Sequence, residues 1–238
     1  MARQRRFILP GRPHLVVQRG HNGQRVAHDA VDQQTWIAVL RDVAATRRVV
    51  LHAWSLTGRE FRLLATPPDE ASLGRLVQDL GRRYVARFNL RHQRSGTLWD
   101  GRYRCTAVLG TTLELMALAY VEREAAEPET AASSRAHHLG ERVDAGISDL
   151  AAYWSLGNTP FERQDGWRRC LAQDPGAADT ACVERALRSG IPLAPAEVLQ
   201  ELQPQTSNVL FPRPRGRPRK ACAAEAAPGA PASAPLNR

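Results

Sequence analysis

Two charged side chains lie close together in a stretch of the sequence that is otherwise apolar. The segment 60–66, EFRLLAT, follows the β-branched and apolar run 49–57 across a turn at Gly58, a pattern that predicts a β-hairpin. Residues two apart on a strand face the same side, so Glu60 and Arg62 are expected to be neighbours. A carboxylate suits Mg²⁺ or Mn²⁺, whereas a guanidinium has no lone pair to offer and stays protonated. An ion pair between these two residues would therefore compete with any cation.

A second set of charges recurs along the longest helical pattern, 72–93. Ser72 is its predicted N-cap, and a stripe of apolar residues from Leu73 to Phe88 predicts the buried face. On another face arginines recur at four- and seven-residue steps: Arg75, Arg82, Arg83, Arg87 and Arg91. Residues 82–94 contain no acidic residue, and the last one before them is Asp79. The pattern predicts a stripe that faces phosphates, and a solvated helix face is the alternative.

The whole chain is basic, and its basic residues are almost all arginine. It has 33 Lys and Arg against 24 Asp and Glu in 238 residues, a net charge of +9, and Lys220 is its single lysine. Such an excess favours a polyanionic partner, with nucleic acid as the leading class, and arginine suits phosphates and base edges.

The sequence has neither an 18-residue apolar run nor an N-terminal apolar segment of the signal-peptide kind, so we expect no membrane partner and a cytoplasmic location. The cysteines are expected to be reduced thiols, with a Cys170–Cys182 bridge as the alternative: Cys105, Cys170, Cys182 and Cys222.

The order of elements predicts an α+β fold. A strand at 13–20, a helix at 32–48 and the hairpin precede the long helix; a loop and strand at 94–110 and a helix to about residue 126 follow it. Thr111 or Thr112 is the expected cap of that last helix. Antiparallel hairpins combined with helices on one face give an α+β sandwich.

The rest of the chain predicts helices and then a disordered tail. Composition shifts near residue 127, and short helices are expected near 148–156, 160–173, 181–189 and 195–202. The sequence thus divides into a domain at 1–127, a helical C-terminal extension at 128–202 and a basic tail at 203–238 that is rich in Pro and Ala.

Several stretches resemble, in chain order, the REP-associated tyrosine transposases, which belong to the insertion-sequence type of single-tyrosine HUH transposases. They include HAWSLTGREFRLLA at 52–65, LELMALAYVE at 113–122, ASSRAHHLG at 132–140 and YWSLGNTPFERQDGWR at 153–168. The most specific is YVARFNLRHQRSGTLWDGRYR at 84–104. The resemblance covers nearly the whole chain and implies a ferredoxin-like fold, binding of single-stranded DNA hairpins and cleavage through a 5′-phosphotyrosine. Members of this family hold a divalent cation on a His-hydrophobic-His motif, and a monomer or a homodimer is compatible with it.

Matched residue by residue, the family's nucleophilic tyrosine corresponds to Tyr120, but the metal motif is not retained. Glu60-Phe61-Arg62 stands where the family has His-x-His. Glu124 lies one helical turn after Tyr120, where the family often has an Asn or Gln ligand. The remaining metal candidates are Glu60 and Glu124, for Mg²⁺ or Mn²⁺ if the protein is active. The loss of both histidines predicts instead that no cofactor is bound.

The other histidines are expected to have solvated or packing roles rather than to bind a metal. His52, His92, His137 and His138 are predicted to lie in loops or strands, and the adjacent pair at 137–138 is poorly arranged for chelation. The tail contains Arg215-Gly216-Arg217-Pro218, the core of AT-hook peptides, which enter narrow minor grooves. A generic basic tail is the alternative.

The sequence thus predicts a transposase-like, nucleoid-associated DNA-binding protein with lost or weakened nicking. One alternative is an active single-strand transposase or nickase that uses Tyr120 and a carboxylate metal site, and another is a regulator that binds RNA hairpins. The residues predicted to bind nucleic acid are Arg62, Arg82, Arg83, Arg87, Arg91, Arg94, Arg213, Arg215, Arg217, Arg219 and Lys220.

Overall fold

A computed structural model of the protein describes residues 6–123, 132–173, 176–206 and 208–211. Its centre is an antiparallel sheet of five strands in the order β4-β1-β3-β2-β5. The strands are β1 (His14–Arg19), β2 (Val50–Leu56), β3 (Glu60–Thr66), β4 (Arg104–Ala107) and β5 (Ala132–Ser133). The predicted hairpin is β2–β3, and β3 lies in the middle of the sheet.

Eight α-helices occur in the described ranges: α1 (Ala30–Arg47), α2 (Ser72–Arg91), α3 (Thr111–Glu122), α4 (Arg135–His138), α5 (Ala151–Trp154), α6 (Pro160–Ala172), α7 (Gly176–Ser189) and α8 (Ala196–Leu202). The predicted order of strands and helices through α3 is confirmed, as is the α+β class. The sequence did not predict the two-residue β5 or the four-residue α4.

One face of the sheet is covered by α1 and α2. Alternate strand residues such as Val16 and Leu63 point to this face and pack with Trp36 of α1 and Leu80 of α2 in one buried cluster. Phe61 meets the ring of Trp99 edge-on, at 5.1 Å between centroids. Burial of large apolar side chains, each worth about 1.5–3 kcal/mol, holds these helices on the sheet.

The other face is covered as well, which differs from the expectation of helices on one face only. Leu15 and Leu64, which alternate with the residues of the first face, pack against Leu118 of α3. The same cluster includes Tyr153 and Trp167 from the C-terminal helices. The physical reason is that β1 and β3 carry apolar residues at consecutive positions, so both faces must be buried. The predicted extension therefore shares a core with the sheet, while the division into domains stays a prediction.

The helix caps differ from those expected. Ser72 lies inside α2 rather than at its N-cap, and the carboxylate of Asp69 accepts the backbone N–H groups of Ala71 and Ser72, each at 2.8 Å. Helix α3 follows Gly110 at φ 106°, without a side-chain cap from Thr111 or Thr112. An aspartate satisfies free N–H groups at least as well as a serine, and glycine adopts this φ without strain.

Cys105, Cys170 and Cys182 are free, which confirms the predicted thiols for these three, and Cys222 lies outside the described residues. Within the described part of the chain, no helix is both long and apolar enough to cross a membrane.

Candidate functional site

The turn between β2 and β3 fixes the start of β3 and with it the position of Glu60. The Thr57 hydroxyl accepts the N–H of Glu60 at 3.0 Å, and the Thr57 N–H donates to the carbonyl of Glu60 at 2.8 Å. In the antiparallel pairing of β1 with β3, Arg19 lies directly opposite Glu60. Cross-strand partners have their Cβ atoms close together, so this register brings a second arginine to the carboxylate.

Both oxygens of the Glu60 carboxylate are held by arginines. Nε of Arg62 donates to Oε1 at 2.7 Å, and Nε of Arg19 donates to Oε2 at 2.8 Å. The Glu60 side chain is only 12% exposed. A divalent cation would have to displace two charge-assisted hydrogen bonds at this position. The expected pair of Glu60 and Arg62 is present, and Arg19 strengthens it.

Arg62 also joins this ion-pair network to Tyr120. Its guanidinium lies over the Tyr120 ring, 4.4 Å from the centroid, and Nη1 donates to the Tyr120 carbonyl oxygen at 2.8 Å. Burial raises the pKa of the Tyr120 phenol, because the tyrosinate loses hydration, while the charge of Arg62 acts in the opposite direction. The residue matched to the family's nucleophile thus contacts a guanidinium.

A small cavity of about 90 Å³ opens beside Tyr120. Its basic lining residues come from β1, β4, α7 and the loop before β4: Arg19, Arg102, Arg104 and Arg188. Asp100 and Glu184 also line it. Four arginines against two acids give this small space a positive excess, which suits a phosphate group.

The sequence did not single out these four arginines. The signal for Arg19 was available, because an arginine that ends one strand can lie opposite a glutamate that begins an antiparallel strand. Arg102, Arg104 and Arg188 converge only through tertiary packing.

A wider groove lies along α2. It has a volume of about 950 Å³, and Arg82, Gln78, Trp99 and Tyr103 are among the residues that line it. Arg6 stacks on the Tyr103 ring, 3.6 Å from its centroid. Trp99 is buried, so Tyr103 is the aromatic ring of this groove that a base could reach, in the place that Arg6 now takes.

The arginines of α2 do not form one uniform stripe. Arg83 pairs with Asp42, and Arg91 pairs with Asp29 and Asp32, so acidic residues next to α1 or within it occupy two of the guanidiniums. Residues 82–94 contain no acid of their own, but α1 and the residue before it supply acidic partners to α2.

The other predicted members of this set are placed differently. Arg94 donates to Gln24 and to the carbonyl of Thr97, each at 3.1 Å. Arg82 and Arg87 are exposed. The remaining predicted site residues lie outside the described residues: Glu124, Arg213, Arg215, Arg217, Arg219 and Lys220.

The four histidines occupy structured positions. His52 lies on β2, with Nδ1 2.6 Å from the carbonyl oxygen of Ser148, and His92 directly follows α2. His137 and His138 lie on α4, so their predicted placement in a loop or strand was wrong. Their Nε2 atoms lie 3.3 and 3.6 Å from Oδ1 of Asp149, close enough for a shared ligand.

No protein-family model matches the chain, and no curated protein matches it. Among solved structures it is similar to a REP-associated tyrosine transposase bound to a REP hairpin, with 15% identity and a TM-score of 0.44 over 51% of this chain and 70% of that one. It is also similar to a transposase-like protein of Deinococcus radiodurans, with 20% identity and a TM-score of 0.36 over 47% of this chain and 89% of that one. The first is of the family that the sequence motifs resemble. Both TM-scores lie below 0.5, so neither similarity assigns an activity or a ligand to this chain.

Proposed function

We propose that this protein is a transposase-like DNA-binding protein that recognises single-stranded or hairpin DNA and lacks metal-dependent nicking. The observation that carries the proposal is the pair of arginines on Glu60, next to Tyr120. Where the related enzymes hold a cation, this chain holds guanidiniums. Arginine can bind a phosphate as a cation does, but it cannot act as a Lewis acid on a phosphate in the way a metal ion does.

The state of Tyr120 supports loss of catalysis. A phenol is a weak nucleophile unless a base, a metal or a lowered pKa activates it. Here burial raises the pKa of Tyr120. A phosphate in the small cavity would therefore meet arginines and a protonated phenol, an arrangement that supports binding rather than transfer.

The arginines and the wide groove support the choice of nucleic acid. The cavity beside Tyr120 is lined by arginines that suit a phosphate, and the groove along α2 is lined by Arg82 and by the half-buried Tyr103, on which Arg6 stacks. Phosphate contacts position a strand and give affinity, and a base that takes the place of Arg6 on the Tyr103 ring would have to be unpaired. We propose that the basic residues of the tail, within 213–220, also bind phosphates, because they are positively charged.

A gel experiment tests the two parts of the proposal separately. The full chain is incubated with a panel of labelled DNA stem–loops, with single-stranded flanks, at several Mn²⁺ concentrations. A native gel is expected to show binding, and a denaturing protein gel is expected to show no labelled adduct. A labelled band in the wild type that disappears in Tyr120→Phe would establish nicking and overturn the loss of catalysis.

Competition identifies the nucleic acid. Unlabelled RNA stem–loops of the same sequence are expected to displace the labelled DNA less well than unlabelled DNA does. Stronger displacement by RNA would replace the proposal with an RNA-binding regulator. Absence of binding to any stem–loop would reject both.

A further inference from the structure

We infer that His137, His138 and Asp149 form a binding site for one transition-metal ion of the zinc type, separate from the Tyr120 site. The three side chains each present a ligand atom, and these atoms lie within 4.8 Å of one another. The inference is independent of the proposed function, because it depends on side chains that contact neither Glu60 nor the DNA-facing arginines.

The buried imidazole of His138 is the main evidence. Its side chain is fully buried, and its Nε2 atom has no hydrogen-bond partner among the described residues. Leaving a buried polar atom unsatisfied costs about 1–3 kcal/mol. A metal ion is one of the few partners that would use this lone pair.

A carboxylate orients that imidazole. Nδ1 of His138 lies 2.7 Å from Oε1 of Glu122, and the same carboxylate accepts hydrogen bonds from Ser134 and from Trp167. A carboxylate can only accept hydrogen bonds, so Nδ1 of His138 carries a hydrogen, and in the neutral ring Nε2 then carries the lone pair. Zinc-binding histidines commonly have this arrangement, with the second nitrogen donating to a carboxylate.

The spacing of Asp149 from each imidazole fits a small tetrahedral ion. Oδ1 of Asp149 lies 3.6 Å from Nε2 of His138 and 3.3 Å from Nε2 of His137. Ligands about 2.0–2.1 Å from a tetrahedral ion are roughly 3.3 Å apart. The side chains of His137 and Asp149 are 18% and 22% exposed, so an ion can enter from solvent and keep a water as its fourth ligand.

His137 must change its hydrogen bonding to take part. Its Nδ1 accepts the N–H of Asp144 at 3.1 Å, which places the ring hydrogen on Nε2. Binding through Nε2 moves that hydrogen to Nδ1 and gives up the bond from Asp144. His138 and Asp149 are therefore the stronger ligands, and His137 completes the set.

Such an ion would tie α4 to the segment before α5. His138 lies on α4, Asp149 lies just before α5, and Glu122 ends α3, two residues after Tyr120. Trp167 of α6 contacts the same carboxylate. The expected role is structural, since the ion would cross-link α4 to the segment before α5, beside the carboxylate of Glu122.

Metal titration of the stripped full chain tests the inference. Zn²⁺ binding by calorimetry is expected to be saturable with one ion per chain at this site, and Zn²⁺ is expected to raise the melting temperature. Co²⁺ is expected to give visible bands of nitrogen and oxygen ligands without the charge-transfer band of a thiolate. No saturable binding, or a thiolate band that accounts for it, would overturn the inference.

Variants locate the site. His138→Gln and Asp149→Asn are each expected to weaken Zn²⁺ binding by about tenfold or more, whereas His21→Gln and Asp165→Asn, at exposed positions on other elements, are expected to bind as the wild type does. Circular dichroism checks that each variant is folded, and the partly exposed Asp149 keeps the test informative if His138→Gln does not fold. Unchanged affinity in folded Asp149→Asn contradicts the inference.

Discussion

At the scale of single residues, Glu60 and its two arginines decide what the start of β3 can bind. A glutamate alone would leave a carboxylate for a cation, but Arg62 and Arg19 occupy both of its oxygens. The network is partly buried, where ion pairs are screened less than at the surface. The positive charge next to Tyr120 therefore belongs to the fold itself.

Replacing Glu60 tests separately how this network affects the stability of the fold and the affinity for DNA. Glu60→Gln weakens both ion pairs and is expected to lower the free energy of unfolding by about 2 kcal/mol. It also frees Arg19 and Arg62 for phosphates, so the dissociation constant for a DNA stem–loop should fall about fivefold near 0.1 M salt. Urea unfolding and gel-shift titration measure the two quantities. Asp165→Asn, which removes exposed ion pairs on α6, should change neither appreciably, and weaker DNA binding by Glu60→Gln would contradict the prediction.

A pH dependence follows from the buried His14. Its Nδ1 donates to the carbonyl of Arg12 at 2.8 Å and its Nε2 accepts the N–H of Leu9, so the folded state holds the ring neutral. Burial lowers the pKa of His14 from 6.5 to about 4. Between these values the unfolded chain binds more protons, so this contribution to stability is complete above pH 6.5 and is lost as the pH falls through 4. It amounts to roughly 3 kcal/mol.

Urea unfolding between pH 7 and pH 4 measures the contribution of His14 to the free energy of unfolding. In His14→Gln the free energy of unfolding should fall less steeply over that window than in the wild type. His52, whose pKa burial also lowers, remains and keeps part of the slope. The exposed His21→Gln is the control and should keep the wild-type slope. Equal slopes in His14→Gln and the wild type would show that His14 does not hold this role.

At the scale of the elements, the N-terminus of α2 shows how a local pattern misleads. The sequence offers Ser72 before an apolar stripe, but Asp69 accepts two backbone N–H groups and also the Ser72 hydroxyl. Asp69→Ala should therefore lower the melting temperature more than Ser72→Ala, which loses one hydrogen bond. Thr111→Ala, at the start of α3, should have little effect because its side chain makes no cap. Thermal unfolding by circular dichroism measures the three melting temperatures. A larger decrease in Ser72→Ala than in Asp69→Ala would show that Ser72 is the cap, as the sequence predicts.

The same comparison shows which elements could be predicted. Long amphipathic helices and the hairpin at Gly58 follow from local periodicity, and the neighbourhood of Glu60 and Arg62 follows from the two-residue repeat of a strand. Elements as short as β5 and α4 carry no periodic signal. The meeting of Arg19 with Glu60 required the register of β1, and the meeting of His138 with Asp149 required the packing of α4 against the segment before α5.

At the scale of the whole molecule, a net charge of +9 does not mean that every arginine is available to a ligand. Arg83 and Arg91 are paired with acids next to α1 or within it, so part of the positive charge of α2 holds two helices together. Within the described ranges, Arg82 and Arg87 are exposed without a carboxylate partner. Arg83 and Arg91 thus hold helices together, whereas Arg82 and Arg87 are available to a ligand. The sequence alone does not distinguish the two pairs.

The salt dependence of DNA binding distinguishes these two pairs. Each single-strand phosphate contact that is lost lowers the slope of log K against log salt by about 0.7, so Arg82→Gln/Arg87→Gln should reduce it by up to about 1.4. Arg83→Gln/Arg91→Gln should leave the slope nearly unchanged and lower stability instead, because it breaks pairs within the fold. Binding of one DNA stem–loop over a range of salt, together with urea unfolding, measures both. If the two double variants lose the same slope, the ion pairs with Asp29, Asp32 and Asp42 give way to DNA, and all four arginines then belong to the binding surface.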